Sequence, residues 1–169
     1  DIDKGLSLNE KKISSKYLYN EEGSKLFEEI MDLPEYYPSR CEMEILQKNK
    51  RSILDEAFTH DELYVVDLGA GNGIKTMVLL NYFKERVNLK YVPIDISSSA
   101  LADMQIDFQE RCKDLTIECI HSEYMEGLLS IKNRKNTKKL VLFLGSTVGN
   151  FTFNEALVFL KDLQEVLNP

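Results

Sequence analysis

The chain has 169 residues, a formal net charge of −7, and 43% hydrophobic and 29% charged residues. A fold of this size buries about 70% of its unfolded surface, so one domain with a real core is expected. The acidic balance argues against a nucleic-acid backbone as main partner. No apolar run approaches the roughly 18 residues of a membrane span, and residues 1–15 lack a basic flank followed by an apolar stretch, so the sequence reads as cytoplasmic. Cys41, Cys112 and Cys119 form no CxxC pair, and His60 and His121 are the only histidines. Reduced structural thiols and no metal site are therefore expected.

In chain order, residues 1 to about 12 are polar and read as frayed. Two helical patterns follow, Gly23–Met31 and Cys41–Ala57, separated by LPEYYPSR, whose prolines disfavour helix at Leu33 and Tyr37. Residues 1–60 are read as an N-terminal helical arm or lid. From Glu62 onward, short apolar runs alternate with longer amphipathic segments, the pattern of βαβ units and a parallel sheet. Strands are predicted at Leu63–Leu68, Lys90–Asp95, Leu115–His121 and Lys139–Leu144. Helices are predicted at Lys75–Arg86, Ser98–Arg111, Tyr124–Ile131 and Phe153–Leu167. The last has an apolar stripe through Ala156, Phe159, Leu160, Leu163 and Leu167, with Thr152 or Asn154 as its cap. Proline at 169 reads as the opening of a turn. The basic run KNRKNTKK, 132–139, lacks aromatics for base stacking and reads as a solvated loop. The exposed edge of the fourth strand would favour association, the oligomeric state being otherwise open.

The stretch VVDLGAGNG, 65–73, places Gly69, Gly71 and Gly73 directly after a predicted strand, at the ligand crevice of an open α/β sheet. A dinucleotide fingerprint, GxGxxG, would need glycine at 74, where Ile74 stands. Asp67, beside the loop, puts a fixed negative charge where pyrophosphate would lie. A cationic or zwitterionic ligand suits the loop better, and S-adenosylmethionine (SAM), with a sulfonium and an amino acid end, is such a ligand. Asp95 closes the second strand, where an acid can accept hydrogen bonds from both ribose hydroxyls. Glu123 and Tyr124 lie at the end of the third strand, in reach of an adenine. The competing readings are a plain tight turn for the glycines and a helix cap for Asp95.

The segments LYNEEGSKLFEEIMDLPEYYPSR, DLGAGNGIKT, YVPIDIS and FLGSTVGNF together resemble the histidine-specific SAM-dependent methyltransferases, over about Lys16 to Pro169. That family includes the ergothioneine-pathway enzymes that trimethylate the α-amino group of histidine, and related fungal enzymes methylate a prenylated tryptophan. The resemblance implies a Rossmann-like class I methyltransferase fold, SAM as cofactor and an amino acid substrate. On this chain it implies cofactor contacts at Gly69, Lys75, Asp95, Glu123 and Tyr124, with Lys75 near the cofactor's carboxylate, beside Asp67 and Gly71, which the loop itself offers as cofactor contacts. Relatives carry Asp and Phe at the positions of Glu123 and Tyr124. Tyr19 and Tyr36 match tyrosines near the active site, and Asn150 the asparagine that holds the substrate's backbone. Tyr19 and Tyr36 read equally as core or lid aromatics, Lys75 as a residue of an exposed first turn, and Asn150 as a left-handed loop end. The family's sheet has seven strands and a separate substrate domain. With four strands in view, residues 61–169 read as the N-terminal part of that sheet, a partial SAM-binding domain with the C-terminal strands and the substrate domain missing, and as inactive alone. A non-catalytic adenosyl-binding module and an NAD-dependent oxidoreductase are the alternatives.

Overall fold

The computed structural model describes residues 2–57, 62–134 and 137–167. The expected turn at Asn168–Pro169 and the middle of the basic run, 135–136, lie outside them. Strands β1 (Glu62–Leu68), β2 (Leu89–Asp95), β3 (Thr116–Ile117), β4 (Ile120–His121) and β5 (Thr137–Leu142) form one parallel sheet. Its order is β3-β2-β1-β5, and β4 also pairs with β2. Helices α4 (Ile74–Phe83), α5 (Ser98–Arg111) and α6 (Tyr124–Ile131) connect the strands, and α7 (Phe153–Leu167) follows β5. Ahead of the sheet lie α1 (Ile2–Leu6), α2 (Glu21–Asp32) and α3 (Pro38–Ala57).

The central strand shows why the sequence folds this way. Leu63 to Leu68 are all buried, because β1 is covered on both faces, as parallel strands require. Leu63 and Val65 pack into a core shared with Leu79, Leu80 and Phe83 of α4 and Leu101, Met104 and Phe108 of α5. Tyr64, Val66 and Leu68 pack on the other face with Leu128 and Ile131 of α6 and Phe159 and Val166 of α7. Helix α3 starts with proline at its first position, where no N–H is needed. Its Leu46, Leu54 and Ala57 belong to the α4/α5 core, so α3 is part of the packed layer. Arg40 fixes the turn ahead of it by donating to the carbonyls of Leu33 and Pro34.

Five local expectations change. The third strand divides into β3 and β4. Between them Glu118 turns its carboxylate to Arg134 and to Lys90 (2.6 Å), although its N–H still reaches the Tyr91 carbonyl at 2.9 Å. Strand β5 begins at Thr137 and stops at Leu142, ahead of a left-handed bend at Gly145 and Ser146 (φ +74° and +59°). The first residues form the helical turn α1, closed by Ser7 on the Asp3 carbonyl, where fraying was expected. Helix α4 ends at Phe83, where the chain tightens and Arg86 settles over the Tyr82 ring at 3.8 Å. On α7, Thr152 and Glu155 cap each other reciprocally, but Leu160 is 51% exposed, since the covered face runs through Phe159 and Val166 instead.

Candidate functional site

A cleft opens at the carboxyl ends of β1, β2 and β5, where α4 leaves β1 and α7 leaves its neighbour β5 on opposite faces of the sheet, the usual ligand position in open α/β sheets. Gly69, Gly71 and Gly73 all have left-handed φ (+70°, +54° and +67°) and all line it. Two of them admit no side chain. A Cβ on Gly69 would lie 2.9 Å from the Tyr124 hydroxyl, and one on Gly73 would meet the Phe108 ring at 2.9 Å. Ile74 already belongs to α4, so the turn closes without a glycine there. The alternating glycines thus strip the cleft floor down to main chain.

Two carboxylates flank this floor. Asp95 Oδ2 accepts from the Gly71 N–H (3.0 Å) and Oδ1 from the Ser97 N–H (2.9 Å), while Ser97 itself caps α5. Asp95 therefore shapes the loop and the helix start at once, and it still lines the cleft. Asp67 is 2% exposed, and its Oδ2 accepts from the hydroxyls of Thr76 and Tyr91 (2.9 Å). Burial raises its pKa to about 6, against the pull of those hydroxyls and of Lys75. The negative charge expected beside the loop is thus not fixed. It is present at neutral pH and neutralised in mild acid.

Lys75, in the first turn of α4, ion-pairs with Glu42 of α3 at 2.5 Å, and the other oxygen of Glu42 accepts the Gly145 N–H at 2.8 Å. A cation near a helix N-terminus calls for a neighbouring anion, and here α3 supplies one. Among the described residues that line the cleft, Lys75 is the only cation, against Glu28, Asp67 and Asp95. The cleft suits a ligand that carries positive charge.

Tyr19 and Tyr124 line the cleft; Tyr36, Glu123 and Asn150 do not. Tyr19 packs edge-on against Phe27, which packs in turn on Tyr36, both at 6.1 Å, so Tyr36 stands one ring behind the wall. The Tyr124 ring packs with Phe143 and Phe159, leaving its hydroxyl against Gly69, and burial raises that hydroxyl's pKa to about 12. The group is a neutral donor throughout the physiological range. Glu123 is exposed and pairs with Lys16 at 3.0 Å. Asn150 is exposed at the end of the turn Thr147–Asn150, whose Thr147 does line the cleft. Its φ is not left-handed; Gly145 and Ser146 take that conformation. Glu42, Thr76, Tyr91 and Phe27 had no local signal. Their partners lie far off in sequence and meet only through the fold.

The whole chain, residues 1–169, matches the model of the family described as histidine-specific methyltransferase, SAM-dependent. It is 35% identical over 170 residues to a histidine N-alpha-methyltransferase of Mycobacterium tuberculosis (strain CDC 1551 / Oshkosh), covering 100% of this chain and 51% of that protein. It is 29% identical over 172 residues to ergothioneine biosynthesis protein 1 of Schizosaccharomyces pombe (strain 972 / ATCC 24843), covering 96% of this chain and 22% of that protein. Among solved structures, the DszA carbon methyltransferase is similar in fold, with a TM-score of 0.56 at 17% identity over 90% of this chain and 39% of that one. The chain thus spans about half the length, or less, of the curated relatives named.

Proposed function

Since the chain belongs to the family of histidine-specific, SAM-dependent methyltransferases, we propose that it supplies the SAM cleft of an enzyme that methylates the α-amino group of an amino acid, histidine, as in ergothioneine-type chemistry. One observation carries the reading: three left-handed glycines at the end of β1, with Asp95 holding the middle one, in a cleft with three acids and one base. Main-chain groups of Gly69 and Gly71 hold the amino acid end of the cofactor beside Asp67 and Lys75. Asp95 takes the ribose hydroxyls with the lone pairs left by Gly71 and Ser97. The Tyr124 hydroxyl donates to the adenosyl group, and Glu123, shared with Lys16, closes the adenine side.

When bound, SAM supplies a methyl group on a cationic sulfur, ready for in-line displacement. The protein's task is then to align a neutral amine with that carbon and to exclude water, which proximity and orientation accomplish without a metal or covalent step. Tyr19, on the cleft wall, and Tyr36, behind it through Phe27, position the amino acid together with Asn150, on the loop that carries Gly145 and Thr147. Water takes the amine's proton. The three cysteines are unpaired, which supports a reducing, cytoplasmic setting. No helix among the described residues is long and apolar enough to cross a membrane.

Methyl transfer from SAM to free histidine, followed by mass spectrometry of the α-amino product, tests the reading. Transfer to the imidazole alone, or none to histidine by the protein that carries this chain, would refute it.

A further inference from the structure

Lys75 is the one cation lining the cleft among the described residues, and a free ammonium at a glycine loop and helix N-terminus would attract phosphate. The protein does not leave it free. Glu42 engages Lys75 through Oε2 (2.5 Å) and the Gly145 N–H through Oε1 (2.8 Å), joining α3, α4 and the loop after β5. The two charged side chains are only 22% and 24% exposed, so solvent screens them less than a surface pair. Glu42 is also held in place, because Leu46, one turn further along the same face of α3, is buried in the core.

We propose that Glu42 is a specificity-determining residue that neutralises Lys75, so that the cleft admits a zwitterionic amino acid end and rejects nucleotide phosphates. This rests on the adenosyl reading of the cleft. A phosphate reaching Lys75 meets the Glu42 carboxylate already on the same ammonium, with Asp67 and Asp95 nearby. A ligand carboxylate accompanied by its own amino group and a sulfonium brings the positive charge that offsets these acids. The exclusion of phosphate therefore lies in the N-terminal helix as well as in the loop.

Calorimetric titration of SAM and of ADP into the wild-type chain, E42Q, K75Q and E42Q/K75Q tests this. Glutamine keeps a carbonyl acceptor for the Gly145 N–H while removing the charge, and thermal melts check folding. In E42Q the ratio of ADP to SAM affinity is expected to rise by about tenfold, the effect of deleting one unit charge a few ångströms from a phosphate. In K75Q the ratio falls, and in the double variant it returns towards wild type. If E42Q does not fold, a fall in K75Q alone still supports the proposal and no change overturns it. An unchanged ratio in folded E42Q, or a change that survives loss of Lys75, overturns the proposal while leaving SAM binding intact. Failure of the wild type to bind SAM would overturn the adenosyl reading and this inference with it.

Discussion

Replacing Asp67 with asparagine should remove a titration that destabilises the fold as pH rises. In the folded protein the Asp67 pKa is raised from 3.8 to about 6, first by burial. The native state therefore binds more protons than the unfolded state between these values, and stability falls as pH rises through that window. The full difference is worth about 3 kcal/mol at pH 7, and about half of it has already been lost by pH 5. Asparagine keeps an acceptor for the Thr76 and Tyr91 hydroxyls and has no charge to desolvate. Urea unfolding of wild type and D67N at pH 4, 5 and 7 measures the effect. Between pH 4 and pH 7 wild type is expected to lose about 2.4 kcal/mol more than D67N. Parallel pH profiles would refute the assignment of the burial penalty to this carboxylate. A cationic ligand should also lower the Asp67 pKa, so SAM binding near pH 6 should release protons, seen as a dependence of binding heat on buffer ionisation enthalpy.

Three further outcomes follow from the geometry. D95A leaves the Gly71 and Ser97 N–H groups without their acceptor; it should cost about 2–3 kcal/mol in stability, read by urea unfolding, and SAM affinity should fall by at least about tenfold. Y124F keeps the ring against Phe143 and Phe159, so stability should shift by less than about 0.5 kcal/mol, while SAM affinity falls about three- to tenfold through loss of the hydroxyl donor. The hydrogen bond from Arg134 is the main cause that lowers the Glu118 pKa to about 2. Its stabilisation is present above pH 4.5 and lost as pH falls towards 2. E118Q should flatten that acid limb by about 1 kcal/mol, the partly exposed group being screened by solvent, without altering SAM affinity.

The order of strands and helices from Glu62 onward was legible because β1 and β2 are buried on both faces and read as continuous apolar runs, with glycines marking the turn after the first. The positions of Gly69, Gly71 and Asp95 at the cleft followed from strand ends alone. Long-range pairing was not legible. Nothing local in PSRCEMEIL shows that Glu42 reaches Lys75, 33 residues on, or Gly145, 103 residues on. The break between β3 and β4 depends on Arg134 and Lys90 converging on Glu118 from other elements. Asp67 could be placed beside the loop from sequence, but its titration depends on Thr76, Tyr91 and complete burial, which only packing determines. Tyr124 could be placed in reach of the cleft from its strand end, but the edge-on packing of its ring with Phe143 and Phe159 and the placing of its hydroxyl against Gly69 are set by packing alone.

The most direct test of the account is calorimetric titration of the 169-residue chain with SAM, S-adenosylhomocysteine and NAD. Saturable binding of both adenosyl ligands and no binding of NAD are predicted. Binding of NAD without binding of SAM would contradict the central claim.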